Sequence, residues 1–194
     1  MPSAAVVVPI KAFDAAKSRL APALDAAGRA DLARAMATRV LEAAAPLPVF
    51  VATDDAEVAA WAVEHDGHVV STEGLDLNGS IRAGIAAVRT AGGFERVVVA
   101  HADLPFASRL ARLAAFPGAT LVPDRGDDGT NVLCIPTAIT FEPMYGPQSF
   151  GRHLAQLRRL GLPVRIARIE DLAWDVDRPA DLPPSVLRPA STPA

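Results

Sequence analysis

The sequence predicts a single α/β domain, doubly wound and three-layered, around a mostly parallel central sheet, and three observations carry that expectation. Short apolar runs recur along the chain: Val6-Val7-Val8, Val49-Phe50-Val51, His68-Val69-Val70, Val97-Val98-Val99, Leu121-Val122 and Val132 to Ile135. Continuous runs this short read as strands covered on both faces, as in a parallel sheet. Amphipathic stretches separate them, so that strand and helix alternate. The chain has 194 residues, 51% hydrophobic and 21% charged, the size and composition of one ordinary globular domain with room for a substantial core.

Each element has a local reason. A helix is expected from about Asp25 to Ala45, where Leu32, Met36 and Val40 repeat at i, i+4, i+8 while Arg29, Arg34 and Arg39 avoid that stripe. A second helix is expected from Asp54, as N-cap, to His65, with Gly67 just beyond it. A third should begin near Asn78 and stop at Gly92-Gly93, where a left-handed conformation costs little. A fourth, roughly Gln148 to Leu160, carries Phe150, Leu154 and Leu157 and ends at Gly161. The domain is expected over 1–182. The remainder, 183–194, holds Pro183, Pro184, Pro189 and Pro193 among small residues and reads as an extended or disordered tail.

Composition narrows the function. A formal charge of −3 argues against a nucleic-acid partner, which calls for a basic face. No apolar stretch suits a membrane span and no leader suits export, so the expected compartment is the cytoplasm. The single cysteine, Cys134, lies in an apolar run and reads as a buried thiol. Trp61 reads as core, and His65, His68, His101 and His153 form no zinc-type pair. The number of copies stays open, a homodimer included.

In a parallel sheet, ligands gather at the carboxyl ends of the strands. The first such loop carries Lys11, Lys17 and Arg19 with only Asp14 opposing them, a set suited to phosphates or else a solvated basic turn. It is neither a Walker loop nor a dinucleotide glycine fingerprint. The fourth strand ends in Ala100-His101-Ala102-Asp103-Leu104-Pro105, which places Asp103 either at the crevice or as a turn cap. In Asp175-Val176-Asp177, an extended backbone puts both carboxylates on one face, where they repel unless a cation stands near. Magnesium suits such oxygen donors; an acidic turn is the plain alternative. The stretch Asp124 to Asn131 fails as a calcium loop, with Gly126 third and Ile135 twelfth, and reads as a tight turn that leaves Thr130 and Asn131 near a polar ligand. Gly146-Pro147-Gln148-Ser149 opens a helix, which makes an anion site or an ordinary cap.

Taken in order, Val8-Pro9-Ile10-Lys11, Ala16-Lys17-Ser18-Arg19-Leu20, Ala102-Asp103-Leu104-Pro105, Asp127-Asp128-Gly129-Thr130-Asn131-Val132-Leu133, Tyr145-Gly146-Pro147 with Ser149-Phe150 and His153, and Asp175 through Leu182 resemble the CofC family, the guanylyltransferases of coenzyme F420 biosynthesis. The resemblance spans nearly the whole chain up to the tail. It implies a Rossmann-like domain of the nucleotidyltransferase (GT-A-like) type that moves GMP from GTP to phosphoenolpyruvate, 2-phospho-L-lactate or 3-phosphoglycerate and releases pyrophosphate. It further implies magnesium on Asp103, Asp175 and Asp177, and the phosphorylated acid at Thr130, Gly146 and Ser149. The triphosphate is implied at Lys11, Lys17 and Arg19, with Lys17 and Arg19 offsetting charge on the leaving group, and the guanosine at Glu73, Gly74, Asn78 and Ser80. The sequence departs from the family pattern at Asp76, at Trp174, and at Gln148, where a small residue, usually glycine, is expected and a side chain would narrow the acid pocket. The rival readings are a molybdopterin or sugar-phosphate nucleotidyltransferase, a metal-dependent glycosyltransferase, and an inert nucleotide-binding regulator.

Overall fold

A computed structural model describes residues 3–183; the tail expected over 183–194 lies outside them from residue 184 onward. Among the described residues seven strands form one sheet: β1 Ala4–Pro9, β2 Val49–Thr53, β3 His68–Ser71, β4 Arg96–Ala100, β5 Ala119–Pro123, β6 Thr130–Pro136 and β7 Val164–Ile166, in the order β3-β2-β1-β4-β6-β5-β7. The helices are α1 Ala26–Ala44, α2 Ala56–Glu64, α3 Leu77–Ala91, α4 Ser149–Arg159 and the single turn α5 Glu170–Ala173.

Alternation along β1 explains the three layers. Val6 and Val8 face one core with Ala37 and Val40 of α1 and Trp61 of α2. Ala5 and Val7 face the other with Ile81, Ile85 and Val88 of α3 and Leu157 of α4. All four β1 residues are fully buried, which is why the sequence reads as an unbroken apolar run. Cys134 is a free, buried thiol whose pKa burial pushes up, and Trp61 is core, as the sequence predicts.

The helix starts follow from side-chain caps. Asp25 and Asp76 accept from the backbone N–H of Gly28 and Gly79 at 2.8 and 2.7 Å. The cap of α2 is Asp55 rather than Asp54: its carboxylate accepts from Val58 N at 2.9 Å, and its own N–H donates to Thr53 Oγ1. The left-handed residue after that helix is Asp66, at φ 58°, not Gly67.

Strict strand–helix alternation fails in the C-terminal half. β4 and β5 are joined through a short 3₁₀ stretch, Leu110–Ala115. β5 and β6 are joined by a turn, so β6 runs antiparallel to both its neighbours. Asp124 builds that turn, its carboxylate accepting from the backbone of Gly126, Asp128 and Gly129 at 2.7–3.0 Å. β7, three residues at the sheet edge, and α5 carry too little pattern to be read in advance.

One contact fixes how closely α3 approaches the sheet. A Cβ on Gly84 would stand 2.4 Å from Val7 Cγ1, and Val7 has no room to yield. Overpacking of this kind costs about 1–3 kcal/mol, set against about 1 kcal/mol of helix propensity gained over glycine. Gly84→Ala should therefore lower the denaturation midpoint. In urea titrations Gly84→Ala with Val7→Ala should be more stable than the two separate losses add up to, because the smaller side chain removes the clash.

Candidate active site

β1 and β4 are parallel neighbours, with Val7 opposite Val99, so the loops leaving their carboxyl ends emerge side by side. The first delivers Lys17 and the second Asp103. The Lys17 ammonium stands 2.6 Å from Asp103 Oδ2 and 3.0 Å from Asp177 Oδ1. Arg19 Nη1 reaches Asp177 Oδ2 at 3.4 Å. Lys17 itself sits at φ 55°, a left-handed conformation that an ordinary side chain adopts only when its surroundings hold it there.

The third segment arrives on an apolar anchor. Val176 is fully buried in a cluster with Leu20, Leu32, Met36 and Leu182, and its N–H donates to the Asp103 carbonyl at 3.2 Å. Burying the middle residue of Asp175-Val176-Asp177 turns both carboxylates the other way, toward Lys17 and Asp103. Asp181 locks the segment: its carboxylate accepts from the N–H of Asp177 at 3.2 Å and of Arg178 at 2.8 Å. Arg125 pairs with Asp181 at 2.7 Å and lies 4.0 Å over the Trp174 ring, whose Nε1 donates to the Asp181 carbonyl.

The charges respond to one another. Burial alone would lower the Lys17 pKa, but the Asp103 and Asp177 charges overcome it and the net shift is upward. Burial likewise works to raise Asp103, and the Lys17 charge and hydrogen bond reverse it to a net lowering. Asp175 is raised, first by burial and then by the negative charges of Asp103 and Asp177, although Asn131 Nδ2 donates to it at 3.4 Å. Asp103 Oδ1 is buried with no hydrogen-bond partner. An unpartnered carboxylate oxygen beside a carboxylate that its neighbours destabilise is an all-oxygen set suited to a hard divalent cation. Among the described residues no three His, Cys, Asp or Glu side chains close into a metal cage on their own. The ammonium of Lys17, rather than a third carboxylate, stands between Asp103 and Asp177.

A cavity of about 230 Å³ opens here, lined by Lys11, Lys17, His101 and Asp103 with Ile10 and Phe13. Lys11 and Leu77 also line a smaller niche with Asp54, Thr72 and Ser80, so the crevice continues toward the start of α3. Glu73 and Gly74 (φ 71°) are exposed in the loop before α3. Asn78 and Ser80 are otherwise engaged. The Asn78 amide donates to and accepts from the Tyr145 backbone at 3.3 and 2.7 Å, and Ser80 Oγ donates to the Asp76 carbonyl at 2.9 Å. Asp76 is thus a helix cap, and Asn78 braces the loop that carries Gly146.

Thr130 and Ser149 are buried, and Gly146 has φ 114°, a conformation that requires glycine. The anion site expected at the start of α4 is partly taken by the protein itself, since Asp128 accepts from Gln148 N through its carboxylate and from Phe150 N through its carbonyl. Gln148 is exposed, with φ 58°. Sequence reasoning missed His101, on the cavity wall, and Tyr145, whose ring lies 5.1 Å from His101 and 4.7 Å from His153. The spacing of histidines gave no hint, because the three rings meet only in the folded chain. Asp181 lies within the Asp175 to Leu182 stretch, but its hydrogen bonds to the backbone were not legible there.

Comparison with known proteins decides the family. The model of the family described as guanylyl transferase CofC like matches residues 4–192. The chain belongs to this family. Its curated relatives include phosphoenolpyruvate guanylyltransferases from Sphaerobacter thermophilus, 37% identical over 91% of this chain and 89% of that protein, and from Roseiflexus castenholzii, 32% identical over 97% and 90%. Solved structures share the fold. A protein assigned as a nucleotide-diphospho-sugar transferase from Desulfovibrio desulfuricans superposes with a TM-score of 0.71 at 19% identity, covering 92% of this chain and 84% of that one. A nucleotidyl transferase from Methanothermobacter gives 0.64 at 17%, covering 92% and 94%. This CofC-like chain is therefore a guanylyltransferase, an enzyme rather than an inert binding module. No helix among its described residues is long and apolar enough to cross a membrane.

The ion pair at the centre has a measurable consequence. Removing one partner of a buried pair leaves the other uncompensated, at a cost of about 3–5 kcal/mol. Lys17 and Asp103 retain 13% and 19% side-chain exposure, which places the cost at the lower end. Lys17→Met should lose about 3 kcal/mol of unfolding free energy in chelator-treated buffer. Lys17→Met with Asp103→Asn should lose less than the two single variants combined, as read by chemical denaturation.

Proposed function

We propose that this guanylyltransferase transfers GMP from GTP to phosphoenolpyruvate, with release of pyrophosphate, in coenzyme F420 biosynthesis; 2-phospho-L-lactate and 3-phosphoglycerate are the alternative acceptors. The observation that carries the reading is the meeting of Lys17, Asp103 and Asp177 at the strand ends, 86 and 160 residues apart in sequence, beside a cavity with Lys11 on its wall. The names of the curated relatives support the choice of acceptor.

In this reaction an oxygen of the acceptor phosphate forms a bond to the α-phosphorus of GTP. The bond from that phosphorus to the bridging oxygen breaks, and its electron pair leaves with pyrophosphate. The second pKa of a phosphate monoester is about 6, so the nucleophile is already anionic at neutral pH. No general base is needed, and His153, with its pKa lowered to about 4 by burial, then by the charges of Arg152 and His101, is not placed to serve as one. The obstacle is repulsion between two polyanions. Asp103, Asp175 and Asp177 would hold magnesium, which when bound supplies positive charge where the phosphates meet. Lys17 and Arg19 offset the charge that grows on the departing pyrophosphate, and Lys11 extends that positive edge. Glu73, Gly74, Asn78 and Ser80 frame the guanosine, Asn78 by bracing the neighbouring loop. Thr130, Gly146 and Ser149 receive the phosphorylated acid. Holding the reactants in line contributes the entropic share, up to roughly 7–11 kcal/mol in favourable systems.

Pyrophosphate release from GTP, measured with each of the three acids in turn, tests the assignment. Release should be fastest with phosphoenolpyruvate, and equal release from ATP or CTP would defeat the guanylyl reading. Asp175→Asn should reduce turnover by at least about a hundredfold with the fold intact by circular dichroism. Chelation of divalent ions should stop release and added magnesium should restore it. Near-normal release by Asp175→Asn would remove the metal assignment.

A further inference from the structure

His153 takes no part in the reaction as written, yet it is fully buried and reaches Thr130. A backbone N–H can only donate, so the 3.0 Å contact from the Met144 amide makes His153 Nε2 an acceptor. Burial above all, then the Arg152 and His101 charges, lowers the pKa of the ring to about 4, which leaves it neutral at pH 7. A neutral imidazole whose Nε2 accepts carries its proton on Nδ1. Nδ1 stands 3.0 Å from Thr130 Oγ1, so the threonine oxygen is the acceptor in that contact. The rings of Phe141 and Tyr145, at centroid distances of 5.4 and 4.7 Å, pack against the imidazole on α4.

A hydroxyl owns one proton. With His153 donating to its oxygen, the Thr130 proton is left to donate elsewhere. A freely rotating hydroxyl would share its proton among several acceptors and lose orientational freedom when an anion arrived. Thr130 also lies one residue from Asn131, whose side chain holds both the Leu172 carbonyl and the Asp175 carboxylate at the edge of the charged centre.

We infer that His153 is a positioning residue that fixes the Thr130 hydroxyl as a hydrogen-bond donor reserved for an anionic oxygen of the acceptor acid. The inference rests on the placement of the acid at Thr130 in the proposed function. It deepens that reading by assigning a direction to the hydrogen bond. His153 touches neither reactant. It acts through Thr130 alone, so its removal should weaken acceptor binding and leave GTP binding as it was.

Two measurements test it. In substrate-free protein labelled with ¹⁵N at histidine, the His153 resonances at pH 7 should report the Nδ1–H tautomer. An Nε2–H tautomer or an imidazolium overturns the inference, whatever the enzyme's substrate. In steady-state assays Thr130→Val should raise the KM for phosphoenolpyruvate about tenfold, the scale of one hydrogen bond to a charged oxygen, with the KM for GTP unchanged. His153→Phe should do the same in the Thr130 background and add nothing further in the Thr130→Val background. His153→Asn, which returns an amide donor near the Nδ1 position, should bring the acceptor KM back toward the parent value. Independent, additive effects of His153→Phe and Thr130→Val overturn the inference while leaving acid binding at Thr130 intact. An unchanged acceptor KM in Thr130→Val removes Thr130 from the acceptor site, and the inference falls with that part of the functional reading.

Discussion

The Lys17 ammonium, seated between Asp103 and Asp177, joins three pieces of chain that share no secondary structure: the loop after β1, the turn after β4 and the segment before residue 178. Neither Lys17 nor Asp103 tolerates this degree of burial alone, and each shifts the other's pKa in the direction that keeps both charged. The left-handed backbone at Lys17 costs of order 1–3 kcal/mol and persists because the ion pairs oppose its relaxation. Beneath the charged layer lies an apolar one. Leu20, next to Arg19, and Val176, between the two aspartates, pack together against Leu32 and Met36 of α1. The charged side chains are therefore aimed by hydrophobic contacts made by their immediate chain neighbours, and Asp181 adds the hydrogen bonds that stop the last segment from rotating.

A triad of carboxylates makes little sense beside substrates that are themselves polyanions unless positive charge intervenes. Lys17 supplies one unit and Arg19, more exposed, a second at longer range. Asp175 has neither: its pKa is raised by burial and then by Asp103 and Asp177, and its hydrogen bond from Asn131 is long. A carboxylate in that position destabilises the resting protein, and with the unpartnered oxygen of Asp103 nearby it presents acceptor-only oxygens of the kind a hard cation takes.

Much of this was legible in the sequence because it depends on local periodicity. β1, β2, β4 and β6 are buried, largely apolar and Val-rich runs, and the sequence marks the start of α1 at Asp25, whereas α3, expected near Asn78, is capped by Asp76. The strand-end rule located Asp103 and Lys17, and the i, i+2 spacing located Asp175 and Asp177. What stayed hidden depends on contacts between distant residues. The direction of β6 is set by the Asp124 turn, which the sequence marked as tight without saying that it reverses the strand. β7 is too short and too exposed to leave a pattern. The choice of Asp55 over Asp54 as a cap turns on a hydrogen bond to Thr53. The link from His153 to Thr130 spans 23 residues and two elements, and no spacing rule connects them.

Gln148 shows how a departure from a family pattern changes meaning once the backbone is known. Read as a pocket residue, a glutamine in place of a small residue should crowd the phosphorylated acid. In the fold its side chain is exposed and its φ is 58°, so the preference for glycine at this position is a preference of the backbone. A non-glycine residue held there costs roughly 1–2 kcal/mol, partly recovered because glycine would lose more freedom on folding. Asp128 helps to hold the strained turn by accepting from the Gln148 N–H, and the Gln148 carbonyl accepts from Arg152 N at 3.2 Å as α4 begins. The chain takes a left-handed path at Gln148, and Ser149 and His153, which follow it, are buried. The departure at Gln148 is therefore a matter of backbone strain, since its side chain is exposed while Thr130 and His153 are buried.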